Sequence, residues 1–427
     1  MDSKNVIAAI ALSSAVIVLY SLFFMPEKTV TNKNLAEKNK IEQNTDTPSL
    51  DQKQTIKQIS REDALKQSKR ILFENQSIIG SISLKGAAID DLTFKNYNTT
   101  LENKEKVVLL GPRDTENGYL IESGFVTSDK NIDIPNSDTI WSLVGNNKLT
   151  NQSPIKLSWT NNQGITFEKE ISLDDKYLFT IKQSVLNSTD NEYDFYSYGQ
   201  IIRNKIPEIS NFYILHEGLI ATLDDELIEE DYDDIQEKKF SRISQKGWLG
   251  IGDKYWITSL IPPREKEFKT TFDYKKKFRV NFIATEPLEL NGKSKIEEEL
   301  QIIVAAKRVD IIDGYAESLS IDKFDLVIDW GFLYFITKPL FFGIDYFFKL
   351  LGNYGLAIIA ITICIRLAFF PLANFSFRSM AKMKALQPEM VRLKELHKDD
   401  KIKLQQEMMA LYKKEKVNPM SGCLPIL

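Results

Sequence analysis

Two apolar runs near the ends of the chain constrain its architecture more than any other feature. Residues 6–25 form an uncharged stretch of 20 residues, and at about 1.5 Å per residue this spans roughly 30 Å, the thickness of a bilayer's hydrocarbon core. The second run, Leu356–Ala373, is long enough to cross a bilayer and carries one charge, Arg366. An arginine at that depth costs about 2.5–3.5 kcal/mol on insertion scales, so it usually faces a protein interior or a watery cavity. The expected fold class is therefore a membrane protein of mixed type.

Charge gives the expected orientation. Residues 331–427 hold 14 Lys/Arg against 7 Asp/Glu and residues 1–25 cancel, so residues 26–330 carry about −11 of a total of −4. The basic cluster after the second run, beginning Arg378, Lys382, Lys384 and Arg392, marks that side as cytoplasmic by the positive-inside rule. The acidic middle is then exported, and two crossings place the amino terminus in the cytoplasm. A cleavable signal peptide is the competing reading of residues 1–25. Against it, the run ends in bulky Leu22, Phe23, Phe24 and Met25 with no small-x-small site, which favours an uncleaved anchor. Both cysteines, Cys364 and Cys423, lie in or beside membrane segments, so the exported part has no disulfide and relies on its own core.

Residues 26–70 are rich in Lys, Asn, Gln, Thr and Glu, a composition that buries too little apolar area to offset ordering and reads as a disordered tether. From residue 71 to 309 the dominant period is two, the signature of a large all-β sandwich. Ile155, Leu157 and Trp159 alternate, residues 161–164 turn, and Ile165, Phe167, Lys169, Ile171 and Leu173 alternate with Lys169 as the one exception. Asp174 and Asp175 turn the chain again into Tyr177, Phe179, Ile181 and Val185. The acidic stretch Asp224–Asp234 reads as a solvated loop or hairpin tip.

Near Val309 the period changes. Val309–Ser318 reads as a short helix, and Gly331–Leu351 is aromatic on nearly every turn but interrupted by Lys338, Pro339, Asp345 and Lys349. That pattern suits an interfacial amphipathic helix better than a spanning one, with docking on the β domain as the alternative. Residues 310–352 are thus connecting and amphipathic helices, and residues 353–377 the second span. Beyond it, Met383, Leu386, Met390 and Leu393 make one apolar stripe and Leu404, Met408 and Leu411 another, with Asp399 and Asp400 between. Residues 378–417 therefore read as an antiparallel helical hairpin. Pro388 is compatible with a kink or a late helix start. Residues 418–427 read as the start of a third span.

Enzymatic signals are scarce, and the expectation is a protein that is not an enzyme, with no catalytic residue, cofactor or metal. The two histidines, His216 and His397, are assigned to opposite sides of the membrane, so neither a His-based metal site nor a Ser-His-Asp triad has material. Gly247, Gly250 and Gly252 lack the spacing and context of a dinucleotide fingerprint. Arg366 admits two readings: a structural ion-pair partner or snorkelling residue, or the cation of a hydrated groove. Thr362 lies one turn earlier on the same face and extends a polar stripe. Met383, Met390, Met408 and Met409 with Lys382 and Lys384 similarly read either as adaptable packing or as a surface that captures apolar clients and contacts anionic lipid or ribosomal RNA. Nothing supports sequence-specific nucleic-acid recognition.

Four segments carry a resemblance: LVIDWGFLYFITKPL (Leu326–Leu340), NYGLAIIAITICIRLAFFPL (Asn353–Leu372), SMAKMKALQP (Ser379–Pro388) and QEMMALYKKEKVNPMSGCLPIL (Gln406–Leu427). In that order they resemble the YidC membrane-protein insertases of Gram-negative bacteria, within the YidC/Oxa/Alb family. The resemblance implies a periplasmic β-supersandwich akin to sugar-binding and mutarotase folds, a periplasmic amphipathic helix, and a helical insertase core in the inner membrane. It places Arg366 and Thr362 in a hydrophilic groove open to the cytoplasm and the lipid, and residues 378–416 in a cytoplasmic hairpin that receives clients. Implied partners are nascent membrane proteins, the Sec translocon, the ribosome or signal-recognition pathway, and membrane lipids. The family core has five helices, so the sequence reads as carboxy-terminally truncated. The alternative is a membrane-anchored module whose β domain binds a periplasmic glycan or protein, and a third reading is an exported enzyme on a mutarotase-like fold.

Overall fold

The computed structural model describes residues 59–102, 104–207, 216–331, 333–398 and 400–415. The expected anchor, the tether up to residue 58 and the start of a third span lie outside the described residues. The chain forms two compact units, Met1–Val327 and Ile328–Leu427.

The first unit is the expected all-β body. Its strands form an eleven-stranded and a nine-stranded sheet among the described residues. The nine-stranded sheet shows how the sequence sets register. Strand Ile165–Leu173 buries Ile165, Phe167, Ile171 and Leu173 on one face, as a period of two requires. It pairs antiparallel with Ile155–Thr160 on one side and Leu178–Asn187 on the other. Both connecting turns use the same device: Asn161 Oδ1 accepts from the backbone N–H of Gln163 and Ile165, and Asp174 Oδ1 from those of Lys176 and Leu178, all at 2.9 Å. Such side-chain-to-backbone bonds are why Asn and Asp mark turns.

The core lies between the sheets. Phe73 of the larger sheet meets Phe179 of the smaller edge-on at 5.2 Å, and Phe195 meets Phe167 at 5.6 Å. The glycines at 247 and 250 belong to strand Gly247–Gly252 and serve close strand approach. A Cβ at Gly247, where φ is +141°, would lie 1.9 Å from Thr222 O, and one at Gly250 would lie 2.3 Å from Thr258 O. The acidic stretch is a tip only at Asp224 and Asp225, both at positive φ. Beyond them it forms edge strand Glu226–Asp231 and then a helical turn.

Six helices are described: α1 (Arg61–Lys66), α2 (Tyr232–Glu237), α3 (Val309–Ser318), α4 (Tyr334–Leu351), α5 (Tyr354–Leu396) and α6 (Lys401–Lys414). Two of them move the expected boundaries of the β body outward. Helix α1 falls within residues read from composition as tether, yet Ser60 caps it, Ala64 is buried, and Arg61 pairs with Asp91. Helix α3 has the residues expected but is part of the β unit. Its Tyr315 hydroxyl donates to Asp174 Oδ2 at 2.7 Å and accepts from Tyr177 N at 2.8 Å, and Phe324 just beyond packs edge-on against Trp248 at 5.3 Å. Long-range contacts of this kind leave no local pattern in the sequence.

Candidate functional site

In the second unit, α4 and α5 are joined by a sharp reversal. Gly352, in the left-handed region at φ +67°, ends α4 by donating to Phe348 O at 2.8 Å, a conformation glycine adopts without strain. Asn353 then caps α5, its Oδ1 accepting from Leu356 N at 3.2 Å. The Phe348 and Tyr354 rings stack at 3.9 Å across the turn. Gly343 faces Ile361 closely enough that a Cβ would come within 2.8 Å of its Cδ1. Helix α4 therefore folds back along the start of α5. Phe335, Tyr346 and Leu350 stay more than 60% exposed, a density of exposed apolar surface that in a soluble monomer would mark an interaction site.

Helix α5 is one continuous helix of 43 residues, with Pro371 and Pro388 inside it. The expected end of the span at residue 377 is not a helix end, and the first arm of the hairpin is a direct extension of the spanning segment. A proline removes one ladder hydrogen bond and crowds the preceding turn, which bends a helix without having to end it. Only Ala357, Ser376 and Ser379 of α5 are buried. Arg366 is exposed and has no ion pair or hydrogen-bond partner among the described residues. Thr362 Oγ1 donates to Ile358 O at 2.6 Å, so its hydroxyl is satisfied along its own helix. Arg366 and Thr362 share one face without touching through a hydrogen bond.

The break before α6 follows from its cap: Asp400 Oδ1 accepts from Lys403 N at 3.0 Å. The end of α5 and α6 then fold back on each other, with Tyr412 OH 3.7 Å from Met390 Sδ. The two apolar stripes face each other there. Met383, Leu386, Met390, Leu393, Leu404 and Met408 are half-buried and Leu411 is buried. Met390 is at the hairpin seam and Met383 and Met408 are half-buried, whereas Met409 is 51% exposed and Lys382 and Lys384 are exposed. Met383 lies 17 residues beyond Arg366, about 25 Å along the helix at normal rise.

Sequence reasoning missed a groove of about 1090 Å³ in the β unit, lined among others by Val108, Leu110, Tyr119, Arg203, Asp253 and Trp256. Arg203 Nη1 donates to Asp253 Oδ1 at 2.6 Å and to Tyr232 OH at 3.1 Å, and the guanidinium lies 4.6 Å from the Tyr119 ring centroid. Burial works against the Arg203 charge, but Asp253 outweighs it and holds the group above its usual range. No sequence period marks this cluster, because its members come from distant strands. His216 is engaged locally, with Nδ1 3.2 Å from Asp231 Oδ1 and Nε2 3.2 Å from Leu219 O. Among the described residues no group of three or more His, Cys, Asp or Glu is placed to hold a metal.

A large β body followed by a helix long and apolar enough to cross a membrane, continuing into a basic hairpin, is the plan of a membrane-embedded protein with a folded extramembrane domain. Comparison with known proteins gives the particular family. The family model described as the YidC periplasmic domain matches residues 70–342, and that of the 60Kd inner membrane protein matches residues 346–427. A membrane protein insertase YidC of Pelagibacter ubique is 71% identical over all of this chain and 76% of its own length. Insertases of the same name from Rickettsia rickettsii and Brucella suis are 41% and 38% identical, over 99% and 100% of this chain and 76% and 75% of their own lengths. The chain belongs to the YidC family. Among solved structures, a YidC insertase crystal structure aligns over 84% of this chain and 68% of its own at 15% identity and TM-score 0.25. A galactose mutarotase related enzyme from Lactobacillus acidophilus aligns over 55% and 97% at 12% identity and TM-score 0.41.

Proposed function

We propose that this protein is a bacterial inner-membrane insertase that moves nascent membrane segments from the cytoplasm into the bilayer without a covalent step. The observation that carries the reading is Arg366, a cation with no partner among the described residues, set in an apolar helix that runs on into a basic hairpin. Family membership supports the same reading, since the relatives matched over this whole chain are insertases by name.

In this scheme the chain crosses the membrane more than once, with its β unit in the periplasm and the hairpin in the cytoplasm. Exposed Lys382, Lys384 and Met409 meet the incoming client, ribosome or anionic lipid, while Met390 helps hold the hairpin together and Met383 and Met408 can repack as it engages. Arg366 and Thr362 line a hydrated groove, where the guanidinium attracts acidic or carbonyl groups of the client's polar flank and local hydration lowers the desolvation barrier. The apolar sides of α5 release the segment into lipid, alone or beside the Sec translocon. The test is insertion of a reporter membrane protein by the full-length protein at matched levels: Arg366→Ala reduces it several-fold without loss of folding, and Arg366→Lys is milder. Equal insertion by wild type and Arg366→Ala removes Arg366 from the mechanism.

A second reading draws on the 1090 Å³ groove, with the β unit binding a periplasmic glycan or protein. Deleting most of residues 71–300 separates the two: the insertase reading keeps insertion, and the binding reading loses function.

A further inference from the structure

One charged side chain of the β unit stands where every alternate neighbour is apolar. Lys169 occupies the core face of strand Ile165–Leu173, between Phe167 and Ile171, and is 3% exposed. Its Nζ reaches across the sandwich to donate to Ser123 O at 2.5 Å, on strand Tyr119–Val126 of the other sheet. That carbonyl is available because the larger sheet parts at this point: strands Ile89–Asn98 and Tyr119–Val126 share a single register pair, Ile89 with Ile121. Gly124 O, the following carbonyl of the same strand, accepts from Gln183 Nε2 at 3.3 Å. Two polar side chains of one sheet thus hydrogen-bond backbone carbonyls of the other, and Lys169 takes the place of a missing strand at Ser123.

Beside them lies a cavity of about 20 Å³ lined by Lys169, Trp141, Gln183, Glu122 and the loop Pro135–Ser137. A cavity this size has room for about one water molecule, which needs two to four polar partners. Two buried atoms at its wall, Trp141 Nε1 and Gln183 Oε1, have no protein partner, and the ammonium has donors to spare. One donor on Trp141, one on Lys169 and one acceptor on Gln183 match what a single water offers.

The charge has no carboxylate in an ion pair with it among the described residues. Glu122 is the nearest anion acting on Lys169, but its oxygens are held by Arg113 and by Gln200 Nε2, the latter at 2.8 Å. Glu168, next along the strand, pairs with Lys156 at 2.8 Å. Tyr198 from the adjacent strand also lines the cavity, and burial pushes its phenol up so that it stays neutral. The loop Pro135–Ser137 brings no titratable side chain. A buried cation without a paired carboxylate either keeps water or gives up its proton.

We propose that Lys169 is a proton-sensitive tie between the two sheets: it donates to Ser123 O in both states, but only as the ammonium does it require the water of the cavity beside Trp141, which the neutral amine releases. Burial brings the Lys169 amine down to about 8, so the tie switches just above neutral pH.

The test is 19F NMR of the full chain labelled with fluorotryptophan in nanodiscs, titrated from about pH 6.5 to 9.5, with the Trp141 signal assigned by Trp141→Phe. The Trp141 resonance is expected to shift with a midpoint near pH 8 while Trp248 and Trp256, which do not line the cavity, stay fixed. Lys169→Met, neutral throughout, and Lys169→Arg, charged throughout, each abolish the transition, so one folded variant is enough. A flat Trp141 signal in the wild type, or the same transition in a folded variant lacking Lys169, overturns the proposal.

Discussion

The two cations that sit in apolar surroundings, Lys169 in the β unit and Arg366 in the helical unit, are treated in opposite ways. Lys169 is enclosed, its Nζ 2.5 Å from a backbone carbonyl and 5.3 Å from the Trp141 ring centroid. Arg366 is exposed and has no partner among the described residues, on a helix with three buried side chains. The β unit completes its own solvation and packing. The helical unit is a surface whose energetics are set by what surrounds it, and in the proposed function that is lipid and client.

The largest expected effect separates the two units by side-chain truncation. Phe179, fully buried against Phe73, should cost about 3–5 kcal/mol when changed to Ala, read as a lower denaturation midpoint of the β unit. Phe370→Ala, at a position 62% exposed, should leave that midpoint unchanged. A matching loss at both positions would break the comparison.

Next in size is a pH dependence confined to the β unit. The Lys169 amine ionises near its usual 10.5 when unfolded and near 8 when folded. Between these values the unfolded chain holds more protons, so stability rises with pH; the contribution is complete above the unfolded value and is lost as pH falls through the folded one. Buried Tyr119, Tyr198 and Tyr232, all with raised phenol values, oppose the trend above about pH 10. Denaturant melts at pH 8 and pH 10 should therefore differ by about 2 kcal/mol in the wild type. The gap should shrink in Lys169→Met.

The smallest effect tests the helical unit alone. Asn353→Ala removes the cap of α5 and should cost about 1 kcal/mol, seen as faster hydrogen exchange at Leu356 and its neighbours with the β unit untouched. Unchanged exchange there would mean that packing against Tyr354, rather than the cap, sets the helix start.

Local chemistry made much of this legible. The turns at Asn161 and Asp174, the alternation of Ile165–Leu173 and the helix Val309–Ser318 each follow from residues within reach of one another. Even the exception was visible, since Lys169 broke a period of two and proved to be the buried cation. Partnerships across the chain were not legible: Leu178–Asn187 pairs with Lys295–Ala306 more than 100 residues away, and nothing in either strand names the other. The end of the β body was misplaced for that reason, because Tyr315 belongs to it through Asp174. For the candidate site, the sequence singled out Arg366 and the methionine stripes. Which methionines face the seam depended on how α6 folds back. The Arg203–Asp253 groove, assembled from separate strands, gave no signal.

The unbroken run of α5 has a mechanical meaning. Its 43 residues make a rod about 65 Å long at normal rise, roughly twice the hydrocarbon thickness of a bilayer. In the proposed function, a load taken up at the hairpin would be carried to the turns around Arg366 as tilt or rotation of that rod, with Pro371 and Pro388 the two prolines along it. Docking at one end and polarity at the other are thereby geared together through a single backbone.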